Sequence, residues 1–305
     1  MIIWNTVLAA SPSGGKVGCL MSVIIGIDIG GSTTKIVGFS DKSGRYELIE
    51  PQIIKATDPV TAVYGAFGKF TDENGLAISD ISKVMMTGVG ASHIKHNLYG
   101  LDCQRVSEFD SIAKGGTYIS GLNEGLVVSM GTGTAMVHAR ADGTSEYLGG
   151  TGVGGGTLVG LSRLLLNAEK MSHIEKYSEG GDLANIDLRI KDMTDSESAS
   201  LLEADLTAAN FGNISDVATK DDLALGIMNL VFETVGMVSI FAARSVGAKD
   251  IILTGNVTRL AHCKRKFDEF NHLDIGRGLN FVIPERARFS TAIGAAMIGM
   301  RWGEK

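Results

Sequence analysis

A strand, a glycine-centred turn and a return strand occur twice in this chain, at residues 23–39 and again at 125–139. The first copy reads VIIGIDIGGSTTKIVGF. Val23, Ile24, Ile25 and Ile27 form a β-branched run, and Gly30-Gly31 permit a sharp reversal. The turn is flanked by Asp28 and carries Ser32, Thr33 and Thr34; Lys35 opens the return strand. Such a turn gathers N–H groups and hydroxyls at one spot beside a cation, which suits a phosphate. One copy alone reads equally well as an ordinary hairpin with a polar turn, because short glycine motifs match often by chance.

The second copy, GLVVSMGTGTAMVHA, changes that balance. Leu126-Val127-Val128 form a buried strand, Gly131-Thr132-Gly133-Thr134 make the turn, and Ala135-Met136-Val137 lead away. Repetition of one device predicts duplicated domains that face each other, with two loops gripping one polyphosphate. A third glycine run, Gly149 to Gly156, leads into an apolar helix at Thr157-Leu158-Val159. Helix N-termini favour anions through free N–H groups and the helix dipole. A hinge is the alternative reading of that run, and the two are compatible.

With 305 residues the chain is long for one core and fits two domains. An apolar fraction of 44% and a charged fraction of 20% describe a folded, water-exposed protein rather than a disordered one. The net charge of −6 argues against nucleic acid as a general partner. The basic cluster Lys264-Arg265-Lys266 reads as the solvated face of a surface helix. Cys19, Cys103 and Cys263 are widely spaced and form no CxxC pair, which points to a reducing compartment without structural zinc. The longest apolar region, Leu223 to Val246, is interrupted by Asn229, Glu233, Ser239 and Arg244 and reads as a central core helix, not a membrane span. Residues 1–20 lack a basic start and make a poor signal peptide; they are expected to be a disordered extension before Met21.

The pattern along the chain alternates. Strands are expected at 23–29, 35–40, 46–54, 83–87, 103–107, 125–130, 134–140, 250–254 and 279–283. Helices are expected at 58–71, 108–120, 156–168, 172–178, 221–246, 257–270 and 290–301. Hairpins mixed with crossover helices predict an α/β fold with partly antiparallel sheets. The domains are expected at 21–122 and 123–305. Residues 182–216, polar and weakly periodic, read as a mobile insertion near the cleft.

Phosphoryl transfer needs positioning, charge neutralisation and a base for the attacking hydroxyl. Lys35 and the loop N–H groups supply the first two. Asp28 is placed to hold the waters of a magnesium ion, which keeps several waters and few carboxylates. Glu108 is the candidate base: it follows a strand, starts a helix and stands just before the interdomain connection. A helix-start acid favoured by the dipole is the structural alternative, and Asp110 is a competing base. His93 and His96 share an i, i+3 spacing without a third ligand nearby; the six histidines read as isolated or surface residues. Neither a Gly-x-Ser-x-Gly elbow nor HExxH occurs in the sequence, so triad and zinc-peptidase chemistry have no support.

The segment GIDIGGSTTKIVGF resembles the first phosphate loop of the acetate kinase, sugar kinase, Hsp70 and actin superfamily. More narrowly, the chain resembles the type II pantothenate kinases. The matching segments are GIDIGGSTTKIV at 26–37, TGVGAS at 87–92, SEFDSIAKG at 107–115, SMGTGTA at 129–135, GGTGVGGGTLVGL at 149–161, GDLANIDL at 181–188, DLTAANFGN at 205–213 and ILTGN at 252–256. The glycine-rich helix start and DLTAANFG are specific to that family; the first loop is not. The resemblance implies two ribonuclease-H-like domains with ATP in the cleft, Glu108 as general base, and a cytoplasmic homodimer built on the helix at 221–246. It implies nucleotide contacts from Gly30, Gly31, Ser32, Thr33, Thr34, Lys35, Thr132, Gly154, Gly155, Gly156, Thr157, Leu158 and Asn256. Thr134 and Tyr147 fall on the acceptor side.

One departure stands out. Relatives usually carry an arginine just before the apolar-Gly-Gly that opens the third loop, where it helps to hold pantothenate. Here the stretch is Ser145-Glu146-Tyr147-Leu148-Gly149-Gly150. Tyr147 or Glu146 stands in the arginine's place, and neither a hydroxyl nor a carboxylate replaces a guanidinium opposite a carboxylate; Arg140 and Arg163 are the candidates to compensate. The expected activity is ATP-dependent phosphorylation of pantothenate. The alternatives are a kinase for pantetheine or a sugar, and a nucleotide-driven activator of the dehydratase-activator type.

Overall fold

The computed structural model describes residues 22–42, 45–55, 58–194 and 204–300. The expected extension at 1–20 lies outside the described residues. Two five-stranded sheets share one topology. The first contains β1 (Ser22–Ile29), β2 (Thr34–Lys42), β3 (Arg45–Ile54), β4 (Ile81–Thr87) and β5 (Cys103–Arg105), in the order β3-β2-β1-β4-β5. The second contains β6 (Gly125–Met130), β7 (Thr134–Ala139), β8 (Ser145–Thr151), β11 (Asp250–Thr254) and β12 (Asn280–Val282), in the order β12-β11-β6-β7-β8. In each, a three-strand antiparallel meander is extended by two parallel strands. The repeated hairpin is thus the first step of a repeated sheet, which is the actin-like ATPase fold expected from the sequence.

The helices are α1 (Pro59–Glu73), α2 (Glu108–Ser120), α3 (Gly155–Leu166), α4 (Met171–Ser178), the short α5 (Ile190–Met193), α6 (Lys220–Val246), α7 (Ala261–His272) and α8 (Ser290–Gly299). α1 starts where Asp58 caps it, accepting from the Thr61 N–H at 2.6 Å, with Pro59 in the first turn. β1 is buried on both faces, which is why its apolar run is continuous rather than alternating. Val23, Ile25, Ile27 and Ile29 pack toward α1, while Ile24 joins Met85, Ala292, Ile293 and Ala296 on the α8 side. In the second sheet Leu126, Val128 and Met130 pack against α6, and Val127 faces Ile112 and Ala113 of α2.

The layers therefore run α1, first sheet, α8 with α2, second sheet, and then α3, α6 and α7. α8 comes last in the sequence yet packs on the first sheet. α2 and α8 cross so closely that a Cβ on Gly115 would stand 1.8 Å from the Ser290 carbonyl oxygen. Fully burying a side chain such as Phe232, in the middle of α6, contributes about 1.5–3 kcal/mol. α6 is the one helix among the described residues long and apolar enough to cross a membrane, and most of it is buried inside the protein.

The described part of 182–216 is anchored, contrary to its reading as a mobile insertion. β9 (Leu188–Arg189) pairs with β10 (Thr207–Ala209). Asp187, fully buried, accepts from the Phe211 N–H at 2.8 Å and from Asn229 Nδ2 at 2.8 Å. Glu233, one turn further along α6, accepts from the Thr207 N–H and hydroxyl, both at 2.8 Å. The polar residues that interrupt the apolar helix are the sockets for this segment. Burial holds the Asp187 carboxyl above the ordinary carboxylate range, and the nearby Glu233 adds to the shift.

Three further expectations need correction. Lys266 is not on a solvated face: it is only 7% exposed and pairs with Glu269 at 2.9 Å. His262 is a core residue, and burial drives its pKa down to about 4. The helix expected at 257–270 breaks at Leu260, separating a 3-10 turn at Asn256–Arg259 from α7.

Candidate active site

The β1–β2 turn closes with the Gly30 N–H donating to the Thr33 carbonyl at 3.1 Å. Antiparallel register places Asp28 opposite Lys35. Lys35 Nζ lies 2.8 Å from Asp28 Oδ2, and both side chains are close to buried. Thr33 and Thr34 are buried beside them, while Gly31 and Ser32 stand exposed at the tip.

The β6–β7 turn closes with the Gly131 N–H donating to the Gly133 carbonyl at 2.8 Å. Across the cleft, Ser32 Oγ is 3.3 Å from Thr132 Oγ1. The two tips, a hundred residues apart in sequence, therefore meet. The third glycine run packs backbone to backbone on the second turn. The Gly155 and Gly156 N–H groups donate to the Gly131 and Thr132 carbonyls at 2.9 and 2.8 Å. A Cβ on Gly154 would stand 2.8–2.9 Å from the Gly133 backbone. Thr134 Oγ1 donates to the Val153 carbonyl at 2.8 Å, and Thr157 Oγ1 to the Gly152 carbonyl at 2.8 Å. Leu158 is fully buried in the second core, and its N–H closes the first helical turn on the Gly154 carbonyl at 3.0 Å. The Gly155 and Gly156 donors, expected to contact a nucleotide, are thus engaged by the neighbouring loop.

Glu108 opens α2, capped by Ser107, whose hydroxyl accepts from the Asp110 N–H at 3.2 Å. It is half-buried. Burial first, and the Asp28 carboxylate second, hold its carboxyl above the ordinary range; Lys35 opposes the shift. The Asp28–Lys35 pair thus lies near enough to Glu108 to act on its protonation. Asp110, the competing base, is exposed and accepts from Ser145 Oγ, tying α2 to β8. Phe109 stacks on Tyr147, with ring centroids 4.0 Å apart. Arg140 pairs with Glu146, and Arg163 pairs with Glu169 at 2.9 Å, so both candidate replacements for the missing arginine already have carboxylate partners.

Asn256 follows Gly255, whose positive φ of 99° brings the chain against the end of β6: a Cβ there would meet the Met130 carbonyl oxygen at 2.2 Å. Asn256 Oδ1 accepts from Arg288 Nε at 3.1 Å. Arg288 is a residue that sequence reasoning missed; isolated in an irregular stretch, it gave no periodic signal. Burial, reinforced by Arg259, lowers its pKa.

Among the described residues no group of three or more His, Cys, Asp or Glu is arranged to hold a metal ion. A hydrated magnesium ion bound mainly by phosphates needs only one or two carboxylates, and Asp28 alone meets that requirement. Cys103 is half-buried on β5 and Cys263 is buried in α7, in different halves of the molecule.

The family model Fumble matches residues 124–267. The type II pantothenate kinase of Staphylococcus haemolyticus is 29% identical over 281 residues, covering 89% of this chain and 98% of its own. That of Oceanobacillus iheyensis is 27% identical over 239 residues, covering 76% and 83%. The chain is similar to the type II pantothenate kinases. Its likeness to that family extends through both halves of the fold, beyond the second-sheet region that the Fumble model covers. Among solved structures, the activator of the 2-hydroxyisocaproyl-CoA dehydratase from Clostridium difficile, with bound ADPNP, superposes with a TM-score of 0.64 at 19% identity, covering 90% of this chain and 93% of that one. At that identity the likeness speaks for the fold.

Proposed function

We propose that this protein is an ATP-dependent kinase that phosphorylates pantothenate to 4′-phosphopantothenate, the first step of coenzyme A biosynthesis. The observation that carries the reading is the meeting of two hairpin tips at Ser32 and Thr132, with the near-buried Asp28–Lys35 pair at the first turn acting on the half-buried Glu108. Two turns rich in N–H and hydroxyl donors suit a polyphosphate between them, and a half-buried carboxylate beside them suits a hydroxyl that must lose its proton.

In this reading Gly30 to Lys35 and Thr132 hold the β- and γ-phosphates, and the stiff turn at Gly154 to Leu158 backs the second loop. Asn256, fixed by Arg288, borders the nucleotide. Thr134 and Tyr147 lie toward the acceptor. Glu108 accepts the proton from the acceptor hydroxyl as its oxygen attacks the γ-phosphorus. Lys35 stabilises the charge on the transferred group. Asp28 orders the waters of a magnesium ion, which neutralises phosphate charge when bound. Division of the chain near 121–125 into two domains, a cytoplasmic location and a homodimer belong to the same proposal. The dimer is supported by Val238 and Phe241, exposed at i, i+3 spacing on α6.

The test is direct. Purified protein incubated with ATP, magnesium and pantothenate should yield ADP and a product heavier by one phosphoryl group, with no comparable product from hexoses. ADP release that is independent of any alcohol would favour the activator-type ATPase instead.

A further inference from the structure

The residue after Glu108, Phe109, lies nearly flat on Tyr147 of β8: the planes meet at 13°. Both rings remain open to solvent, at 37% and 47% exposure. A face-stacked aromatic pair left half-exposed beside a half-buried carboxylate is a surface built to be covered. Its orientation says by what. The Tyr147 ring runs along β8 toward the second phosphate turn, with its hydroxyl 3.2 Å from where a Cβ on Gly150 would stand. Gly150 is the β-partner of Ala135, next to Thr134. The pair therefore forms a wall that reaches from the start of α2 toward the second turn.

In sequence Glu108 and Asp110 flank Phe109, and Glu146, which precedes Tyr147, is already paired with Arg140. Arg105, just before α2, donates to the Ile94 carbonyl. Lys114 and Arg140, the lysine and arginine within residues 108–151, line a separate groove of about 370 Å³ near Gly121 to Asn123. Lys35 is paired with Asp28. Aromatic faces carry a negative quadrupole. A carboxylate laid on this wall would meet those faces and would leave water without a cationic partner. A neutral amide carries a much smaller desolvation cost than an ionised carboxylate.

We propose that the Phe109–Tyr147 wall holds the end of the acceptor remote from the reacting hydroxyl and selects a neutral one. Uncharged amides of pantothenate, pantetheine among them, are then phosphorylated at least as well as the free acid. This rests on the kinase reading above. The transfer is unchanged: the acceptor hydroxyl loses its proton to Glu108, its oxygen bonds to the γ-phosphorus, and ADP leaves.

The experiment measures kcat/KM for pantetheine and for pantothenate at saturating ATP, in the wild type and in Tyr147→Arg, Tyr147→Phe and Phe109→Ala. The wild type should prefer pantetheine or treat the two alike. Tyr147→Arg should shift the ratio toward pantothenate by about tenfold or more, through KM and without changing ATP affinity. Tyr147→Phe, which keeps the stack, should leave the ratio in place. A wild-type preference for pantothenate would overturn the proposal whatever the variants do. A ratio that neither Tyr147→Arg nor Phe109→Ala moves would show that the wall does not read the acceptor. Turnover of neither acceptor would instead overturn the kinase reading itself.

Discussion

The two glycine turns come from the same place in two sheets of the same topology, yet they are held differently. The β1–β2 turn stands free at its tip: a Cβ on Gly31 would meet only the Thr132 hydroxyl, at 3.6 Å. What is fixed lies beneath it, in the near-buried Asp28–Lys35 pair. The β6–β7 turn carries no such pair. Instead it is clamped from outside by the start of α3, through two backbone hydrogen bonds and the Gly154–Gly133 contact. One copy has kept its charge and an open tip, the other its stiffness. Duplication thus yields a jaw with one chemical side and one rigid side.

The largest effect is expected on the chemical side. Lys35→Met removes the cation and leaves Asp28 buried without its partner. Turnover should fall by about 10²–10³-fold, the usual consequence of losing one transition-state donor. The folded protein should lose about 3 kcal/mol, measured by urea unfolding. Because Lys35 lowers the Glu108 pKa, the acid limb of any residual activity should move to higher pH. A variant with normal turnover would show that the first turn is no more chemical than the second.

The rigid side is tested by a pair of variants. Gly154→Val drives a side chain into the Gly133 backbone and should destabilise the fold by about 1–3 kcal/mol. Gly31→Val should leave the melting temperature nearly unchanged while weakening ATP binding in calorimetry. Equal losses of stability in the two would erase the distinction between the turns. The smallest effect belongs to the bridge between them. Ser32→Ala removes an exposed 3.3 Å contact and should change nucleotide affinity by less than about 1 kcal/mol.

Much of this was legible in the sequence, for reasons that particular residues explain. The β-branched run at Val23–Ile29 and the Gly-Thr-Gly turn at 131–133 announce hairpins because their chemistry is local. β8 was not legible. Gly149 and Gly150 read as loop, but Gly150 is a strand residue, glycine because a Cβ would stand 2.3 Å from the Thr134 carbonyl oxygen. Close approach and flexibility use the same letter. The placing of α8 on the first sheet was also hidden, since its small apolar residues Ala292, Ala295 and Ala296 would suit either core. Asn229 and Glu233 were noticed only as interruptions of an apolar helix. Their i, i+4 spacing was the signal that one face holds a polar segment, and Asp187 is what it holds. In the site, Asp28, Lys35 and Glu108 were named from the sequence and the fold brings them together. The Phe109–Tyr147 stack and the Arg288–Asn256 contact depend on long-range approach and were not named.

The central claim is that Glu108, not a neighbour, takes the acceptor proton between the two turns. It is tested by the pH dependence of kcat/KM in the wild type and in Glu108→Gln, with ATP affinity measured alongside. Activity requires the ionised carboxylate, and burial together with Asp28 raises its pKa, so activity should fall away on acidification above the ordinary carboxylate range. Glu108→Gln should lose that limb and about 10²–10⁴-fold in rate while binding ATP as the wild type does. Near-normal turnover in Glu108→Gln with the acid limb intact would contradict the account and move the base elsewhere, to Asp110 first.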